Sequence, residues 1–354
     1  MELDFAPLER LCAKVWPSAS VDISQMPGGA STRRYFRVTP QEGGKSLVAM
    51  FVPDGPKPEE VHNGATTERW PFLEVRDLLA SRGVDVPEVY AEDTANGWLL
   101  LEDLGEDTLA NYLTRAPAEK PALYTCAVRD LAEAQAGLRD LPPGSIVASR
   151  SFDYALLRWE IEHFREWGLD ARGKPLSEAD AAEFAAHADK LARRVSELAR
   201  GFTHRDYQSR NLMVRDEPRR AAKSHGLVWI DFQDALLGPR VYDLVALLND
   251  SYQTFDRAFV EARLGEYADA AGLDAAGREG LLFEFDLVTV QRKLKDAGRF
   301  VFIDREKNNS AFLKFVTPTV GKVGTALERL APHDDDMRRL HALLGRAVGD
   351  ELRA

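Results

Sequence analysis

The chain has 354 residues, with 57 acidic against 46 basic side chains and a formal net charge of -11. That length accommodates two lobes with separate cores better than one simple core. The acidic balance argues against a general nucleic-acid binder, which needs a clustered basic surface, and leans toward a neutral or cationic substrate.

Apolar residues make up 45% and charged residues 29%, the balance of a globular enzyme. No apolar run approaches the roughly 18 residues needed to span a bilayer, so no membrane partner is expected. The start, Met1-Glu2-Leu3-Asp4, is acidic and lacks a signal-peptide pattern. Cys12 and Cys126 lie outside metal-ligand spacing and read as core thiols. Together these features predict a monomer in a reducing, cytoplasmic compartment.

In chain order, residues 3–16 predict a short amphipathic helix, with Leu3, Leu8, Leu11, Val15 and Trp16 on one face and Pro17 as its stop. Strands follow at 21–23, 35–38 and 47–51, the last two separated by Gly43-Gly44 as by a hairpin turn. Residues 53–64 are rich in Pro and Gly and read as a loop. A helix is expected over 65–82, then a strand near 84–90 and a buried strand at 97–101. The composition changes near residue 102. Beyond it, helical periodicity covers 107–139, 152–167, 177–200, 254–270, 276–300 and 335–353, around a strand–turn–strand island at 211–232. The expected fold is α+β and two-lobed. Residues 1–101 form a small antiparallel-sheet lobe with one main helix, 102–105 a hinge, and 106–354 a larger, mainly helical lobe.

The strongest chemical signal is His204-Arg205-Asp206-Tyr207-Gln208-Ser209-Arg210-Asn211, followed by the strand-like run Leu212-Met213-Val214. A second strand, Leu227-Val228-Trp229-Ile230, delivers Asp231-Phe232-Gln233-Asp234. Phosphoryl transfer needs this combination, because its transition state spreads charge over phosphate oxygens and catalysis is mainly positioning and electrostatics. Magnesium takes oxygen ligands; Asp231 supplies a charged oxygen and Asn211 a neutral one. Asp206 is left to orient an acceptor hydroxyl and accept its proton late in the reaction. Asp243 reads as a structural acid bonding catalytic-loop amides, and His204 as a loop-ordering residue.

This H-R-D-x4-N and D-F pattern resembles the protein-kinase-like superfamily. Gln233-Asp234, then Gly238-Pro239-Arg240-Val241-Tyr242-Asp243-Leu244, resembles its aminoglycoside phosphotransferase branch. The resemblance implies ATP and Mg2+ as cofactors. It implies a phosphate-binding loop at Gly28–Thr32, with Gly29, Ser31 and Thr32 as donors; a plain hairpin turn is the alternative. It also implies an adenine-binding hinge at Leu100–Gly105 through backbone groups of Glu102 and Leu104, the alternative being a simple strand end.

One departure stands out. The third strand, Val48-Ala49-Met50-Phe51, has methionine where such kinases carry a phosphate-binding lysine. Lys45 is too early and Lys57 lies in the next loop, so loop amides, metal, Lys57, Arg33 or Arg34 must substitute, and Glu74 would lose its usual partner. A degenerate, nucleotide-sensing pseudokinase is the alternative.

Further segments are similar to bacterial anomeric amino-sugar kinases of cell-wall recycling. They are Ser31–Arg37, Leu99–Gly105, Leu156–Trp167, His204–Asn211, Ile230–Asp234 and Gln291–Phe300. That resemblance implies an amino-sugar substrate, N-acetylmuramate or N-acetylglucosamine, phosphorylated at its C1 hydroxyl. An aminoglycoside, an amino alcohol or another sugar is the alternative acceptor. Arg158, Arg210, Arg292 and Arg299 are candidates for a lactyl carboxylate, because a guanidinium matches carboxylate geometry. Asp234 and Tyr242 are placed to face the sugar. Trp159 and Trp167 either stack on it or pack in the helical core.

Overall fold

Continuous apolar runs at Leu47–Phe51 and Trp98–Leu101 build the first unit around a sheet whose centre is buried on both faces. The computed structural model describes residues 3–27, 32–53, 69–215 and 226–354. Strands β1 (Val21–Gln25), β2 (Arg34–Pro40), β3 (Leu47–Phe51), β4 (Val89–Asp93) and β5 (Trp98–Glu102) form an antiparallel sheet in the order β1-β2-β3-β5-β4. Phe36, Val38, Leu47, Ala49, Trp98 and Leu100 face helix α1 (Ala6–Val15), which buries Leu8, Leu11 and Cys12 against them. On the opposite face Met50, Leu99 and Leu101 pack with Leu73 of helix α2 (Pro71–Ser81). The expected lysine position is therefore a core position under α2.

Beyond Glu102 helices dominate. They are α3 (Leu109–Arg115), α4 (Lys120–Gly137), α5 (Ile146–Ser149), α6 (Tyr154–His163), α7 (Glu178–Ser196), α8 (Tyr242–Leu248), α9 (Arg257–Ala270), α10 (Ala275–Lys307), α11 (Val316–Leu330) and α12 (Asp335–Leu352). Two antiparallel pairs sit among them: β6 (Arg200–Thr203) with β9 (Leu236–Pro239), and β7 (Leu212–Arg215) with β8 (Gly226–Trp229). No described helix is long and apolar enough to cross a membrane.

Several boundaries differ from expectation. The helix over 65–82 begins only at Pro71 among the described residues. The helix over 107–139 is two helices, because Pro117 ends the first run and opens a short turn before α4. The strand near 84–90 lies at 89–93. Helix α6 passes into a wide π-type turn at Phe164–Leu169. Helix α11 was not expected, since Pro318, Gly321 and Gly324 depress its local propensity. Its two glycines instead let it approach the backbone at Leu352 and Ala354. Cys12 is buried, Cys126 is half-buried, and neither is in a disulfide.

Helix α10 crosses the end of α6 at Gly298. A Cβ there would lie 2.7 Å from the His163 carbonyl oxygen and 3.0 Å from Phe164 Cα, both backbone atoms. Gly298→Ala is therefore expected to lower unfolding free energy by about 1–3 kcal/mol. A urea midpoint equal to that of the unaltered protein would refute this close approach.

Candidate active site

The loop between β6 and β7 is held from beneath by one buried acid. Asp243, in the first turn of α8, accepts the amides of His204 (2.6 Å) and Arg205 (3.0 Å) through its two carboxylate oxygens. Burial pushes its pKa up to about 7, against the opposing pull of these amides and of Arg292. Arg205 adopts a left-handed φ of 81°. Buried His204 meets the Ile230 carbonyl through Nε2 (3.0 Å) and accepts the Asp206 amide on Nδ1 (3.3 Å). Burial keeps its pKa down, so the imidazole is neutral and Nε2 carries the proton. It orders the loop.

Asp206 directs its carboxylate at Arg292 of α10, whose Nη2 lies 3.1 Å away while Nη1 donates to the Arg205 carbonyl at 2.7 Å. The Asp206 side chain remains 45% exposed. Burial of its surroundings would raise its pKa, but Arg292, Lys295 and Arg205 outweigh that and hold it below the ordinary carboxylate value. Asp206 is thus an anion of low basicity.

Asn211 and Asp231 flank the β7–β8 pair, and the Ile230 amide donates to the Asn211 carbonyl (3.0 Å). The Asn211 side-chain amide donates to the Asp206 carbonyl (2.9 Å), leaving its Oδ1 for another partner. Asp231, at φ 63°, receives Arg33 (3.0 Å) and Gln233 (2.9 Å) on Oδ1. Gln233 also donates to Asp234 (3.0 Å), and buried Arg150 donates to the Gln233 carbonyl (2.8 Å). Asn211 and Asp231 line the same cleft. One carboxylate and one amide oxygen are the hard-oxygen set that magnesium uses alongside water and phosphate. Among the described residues no group of three or more His, Cys, Asp or Glu side chains converges, so no all-protein metal cage competes with this pair.

The cleft itself, about 580 Å³, runs between the sheet and the helical unit. Met26, Val48 and Phe72 line one wall, Met213 and Ile230 the other, and Leu101, Glu102, Leu104 and Gly105 its back. The Glu102 amide is committed to the Glu88 carbonyl (2.8 Å), and its carboxylate to Arg215 (2.5 Å). Asp103 fixes the hinge by accepting from Arg37 (2.7 Å), Ser46 (2.6 Å) and the Gly105 amide (2.9 Å).

The expected residues are distributed unevenly around this cleft. Asp206, Asn211, Asp231 and Asp234 come together. Gly29, Ser31 and Lys57 lie outside the described residues, and Thr32 is exposed beside them. Arg33 occupies the cleft, whereas Arg34 lies 5.5 Å from the Phe36 ring. Glu74 accepts the Ile146 amide at the start of α5 (2.5 Å), so a backbone donor replaces the lysine expected opposite it. Arg158 is placed elsewhere, pairing with Glu162 (2.9 Å) and Asp189 (2.7 Å) on the α6–α7 seam. Arg210 is exposed and stacks on Tyr252 at 3.6 Å. Trp167 packs edge-on against Phe302, whereas Trp159 is 39% exposed. Reading by motif missed Arg150, Asp250 and Lys295. Asp250 accepts the Ser209 amide (3.2 Å) and hydroxyl (2.5 Å), and its place two turns beyond Asp243 was the available signal.

Comparison with known proteins decides the family. Residues 22–280 match the family model described as the phosphotransferase enzyme family (APH). The chain belongs to this family. A Pseudomonas aeruginosa protein named N-acetylmuramate/N-acetylglucosamine kinase is 35% identical over 305 residues, covering 85% of this chain and 82% of that one. A Neisseria meningitidis protein of the same name is 30% identical over 347 residues, covering 95% and 94%. Among solved structures, a microcompartment-associated aminopropanol kinase aligns with a TM-score of 0.59 at 17% identity, covering 94% of this chain and 98% of that one. The GDP complex of an aminoglycoside 2'-phosphotransferase aligns at 0.57 and 13% identity, covering 90% and 97%. These two structures share the two-lobed kinase-like fold.

In this phosphotransferase, Arg292 is the cation in direct contact with Asp206. Removing a neighbouring cation raises a carboxylate pKa. Arg292→Gln is therefore expected to move the acid limb of the pH–rate profile to higher pH and to lower kcat at neutral pH. An unmoved acid limb in a correctly folded variant would remove Arg292 from control of Asp206.

Proposed function

We propose that the protein is an ATP- and magnesium-dependent kinase that phosphorylates the anomeric hydroxyl of N-acetylmuramate or N-acetylglucosamine. The observation that carries this reading is that Asn211 and Asp231 line one cleft while the Asn211 side-chain amide holds the Asp206 carbonyl at 2.9 Å. The curated relatives' names supply the acceptor. In this reading residues up to 101 hold the nucleotide, 102–105 form the hinge and 106–354 hold the acceptor.

The adenine lies between Val48 and Met213-Ile230. The Glu102 amide is already committed, so Glu102 meets the base by its carbonyl, and Leu104 by its backbone. Gly29, Ser31 and Thr32 are the expected phosphate donors, of which only Thr32 lies within the described residues. Arg33 supplies the phosphate-facing cation that the strand methionine cannot. Asn211 Oδ1 and Asp231 hold the magnesium, which when bound neutralises charge on the phosphate oxygens. Asp206 orients the sugar C1 hydroxyl toward the phosphate and takes its proton late. A hemiacetal hydroxyl is more acidic than an ordinary alcohol, so an anionic orienting group of low basicity suffices. Asp234 borders the acceptor. All these groups belong to one chain, so a monomer suffices, and the ATP requirement fits the cytoplasm.

Mixing the protein with Mg-ATP and each sugar should give a sugar 1-phosphate in the phosphorus NMR spectrum. Its absence with both sugars would refute the acceptor assignment, and ATP binding without transfer to any acceptor would favour a pseudokinase. Asp206→Ala should lower turnover by roughly 10²–10⁴-fold while ATP binding persists. Arg33→Ala should raise the KM for ATP about tenfold, as loss of a charge-assisted contact predicts, with less effect on the KM for sugar. An unchanged KM for ATP would return the phosphate-binding role to the loop amides.

A further inference from the structure

Of the four arginines that chemistry first suggests for a substrate carboxylate, two are committed to ion pairs and two lie against aromatic rings. Arg292 is 3% exposed and spends its two terminal nitrogens on Asp206 and the Arg205 carbonyl. Withdrawing it would release the catalytic loop. Arg158 belongs to the α6–α7 ion pairs. Arg210 lies on Tyr252. Arg299 lies 4.7 Å from the Phe302 ring.

Lys295 is different. It stands three residues after Arg292 on α10, so the two side chains share a helix face. Its side chain is 13% exposed, and its ammonium lies 3.2 Å from Asp296. That carboxylate is shared, since Lys293 is 2.9 Å and Arg292 Nε 3.9 Å from it. Three cations thus converge on one acid, and an ammonium has three donors. Burial would favour neutral Lys295, but Tyr242, Asp296 and Glu160 outweigh it and raise its pKa. Lys295 is therefore charged, and its charge is felt at Asp206. Nearby Glu160 also receives Gln291 (2.7 Å) and lies 3.8 Å from Arg205. The Tyr242 hydroxyl beside this cluster is buried without a hydrogen-bond partner.

We propose that the Lys295 ammonium receives the lactyl carboxylate of N-acetylmuramate on the acceptor side of Asp206, and so sets the preference between a carboxylated and an uncharged amino sugar. The proposal rests on the amino-sugar reading above. Lysine suits an enzyme that accepts both sugars. An ammonium is a point charge on a flexible stem, and this one keeps Asp296 as its partner when no carboxylate is present. A preorganised guanidinium fork left unpaired would penalise the uncharged sugar, because unmet buried polar groups are costly.

The test compares N-acetylmuramate, its methyl ester and N-acetylglucosamine as acceptors for the unaltered protein, Lys295→Gln and Lys295→Arg. Lys295 also acts on Asp206, so Lys295→Gln is expected to lower kcat for every acceptor. The diagnostic quantity is the ratio of KM values. In Lys295→Gln, KM for N-acetylmuramate should rise roughly 10–100-fold relative to N-acetylglucosamine, the range for a charge-assisted hydrogen bond. Lys295→Arg should restore part of the ratio. The unaltered protein should lose a similar factor on the methyl ester, and Lys295→Gln should no longer distinguish ester from acid. An unchanged KM ratio, or equal use of ester and acid by the unaltered protein, would overturn the contact. The ester comparison holds even if the variant fails to fold. Turnover of neither sugar by the unaltered protein would instead refute the acceptor assignment beneath it.

Discussion

A fully buried carboxylate with two backbone amides on it is the constraint from which the site is built. Asp243 is fully buried, and the His204 and Arg205 amides and the Arg292 charge oppose the burial that raises its pKa. Arg205 at φ 81° carries a backbone cost of about 1–2 kcal/mol for a residue with a Cβ. The Asp243 bonds offset that cost and fix the turn. The Asp206 carbonyl then faces the Asn211 amide and its carboxylate faces Arg292. Without the turn neither partner is reached.

Two further tethers enter the loop from other segments. Arg292 comes from α10. Asp250 follows α8 and binds Ser209, midway between Asp206 and Asn211. Lys322 of α11 gathers the carbonyls of Asn249, Asp250 and Gln253, stiffening the segment that presents Asp250. Such a loop suits phosphoryl transfer, where misplacing the acceptor by about an ångström can cost roughly 100-fold in rate.

The parts of this site that sequence revealed are those set by local geometry. The interval from Asp206 to Asn211 is one tight loop, and Asp231 follows the strand paired with β7, so spacing alone places all three. Asp243 was legible for the same reason: a helix start three residues after a strand end leaves little else for a buried acid to do. Arg33 was one substitute among several, because its meeting with Asp231 spans 198 positions and depends on how sheet and helices dock. Lys295 was invisible because α10 is buried nearly all round, so periodicity does not reveal which face meets the catalytic loop. Met50 was legible as a departure but not as a consequence. Only the register of β3 with β5 shows that its side chain belongs to the α2 interface, where a lysine would be buried among Leu73, Leu99 and Leu101. Elements failed where tertiary packing overrode propensity, as in α11, whose glycines serve contact with the α12 end.

Charge illustrates the same limit. A formal net charge of -11 leans toward a neutral or cationic acceptor. Around Asp206 the local balance runs the other way, with Arg292, Lys295 and Arg205 all acting on one half-exposed carboxylate. Screening over about 8–10 Å removes most of the influence of distant surface acids, so an acceptor at Asp206 meets these cations rather than the sum over the chain. The same cations hold Asp206 as an anion of low basicity. A hemiacetal hydroxyl, more acidic than an ordinary alcohol, needs mainly to be held in line by such a group. The electrostatics proposed to receive a carboxylated sugar thus also suit the proposed anomeric hydroxyl.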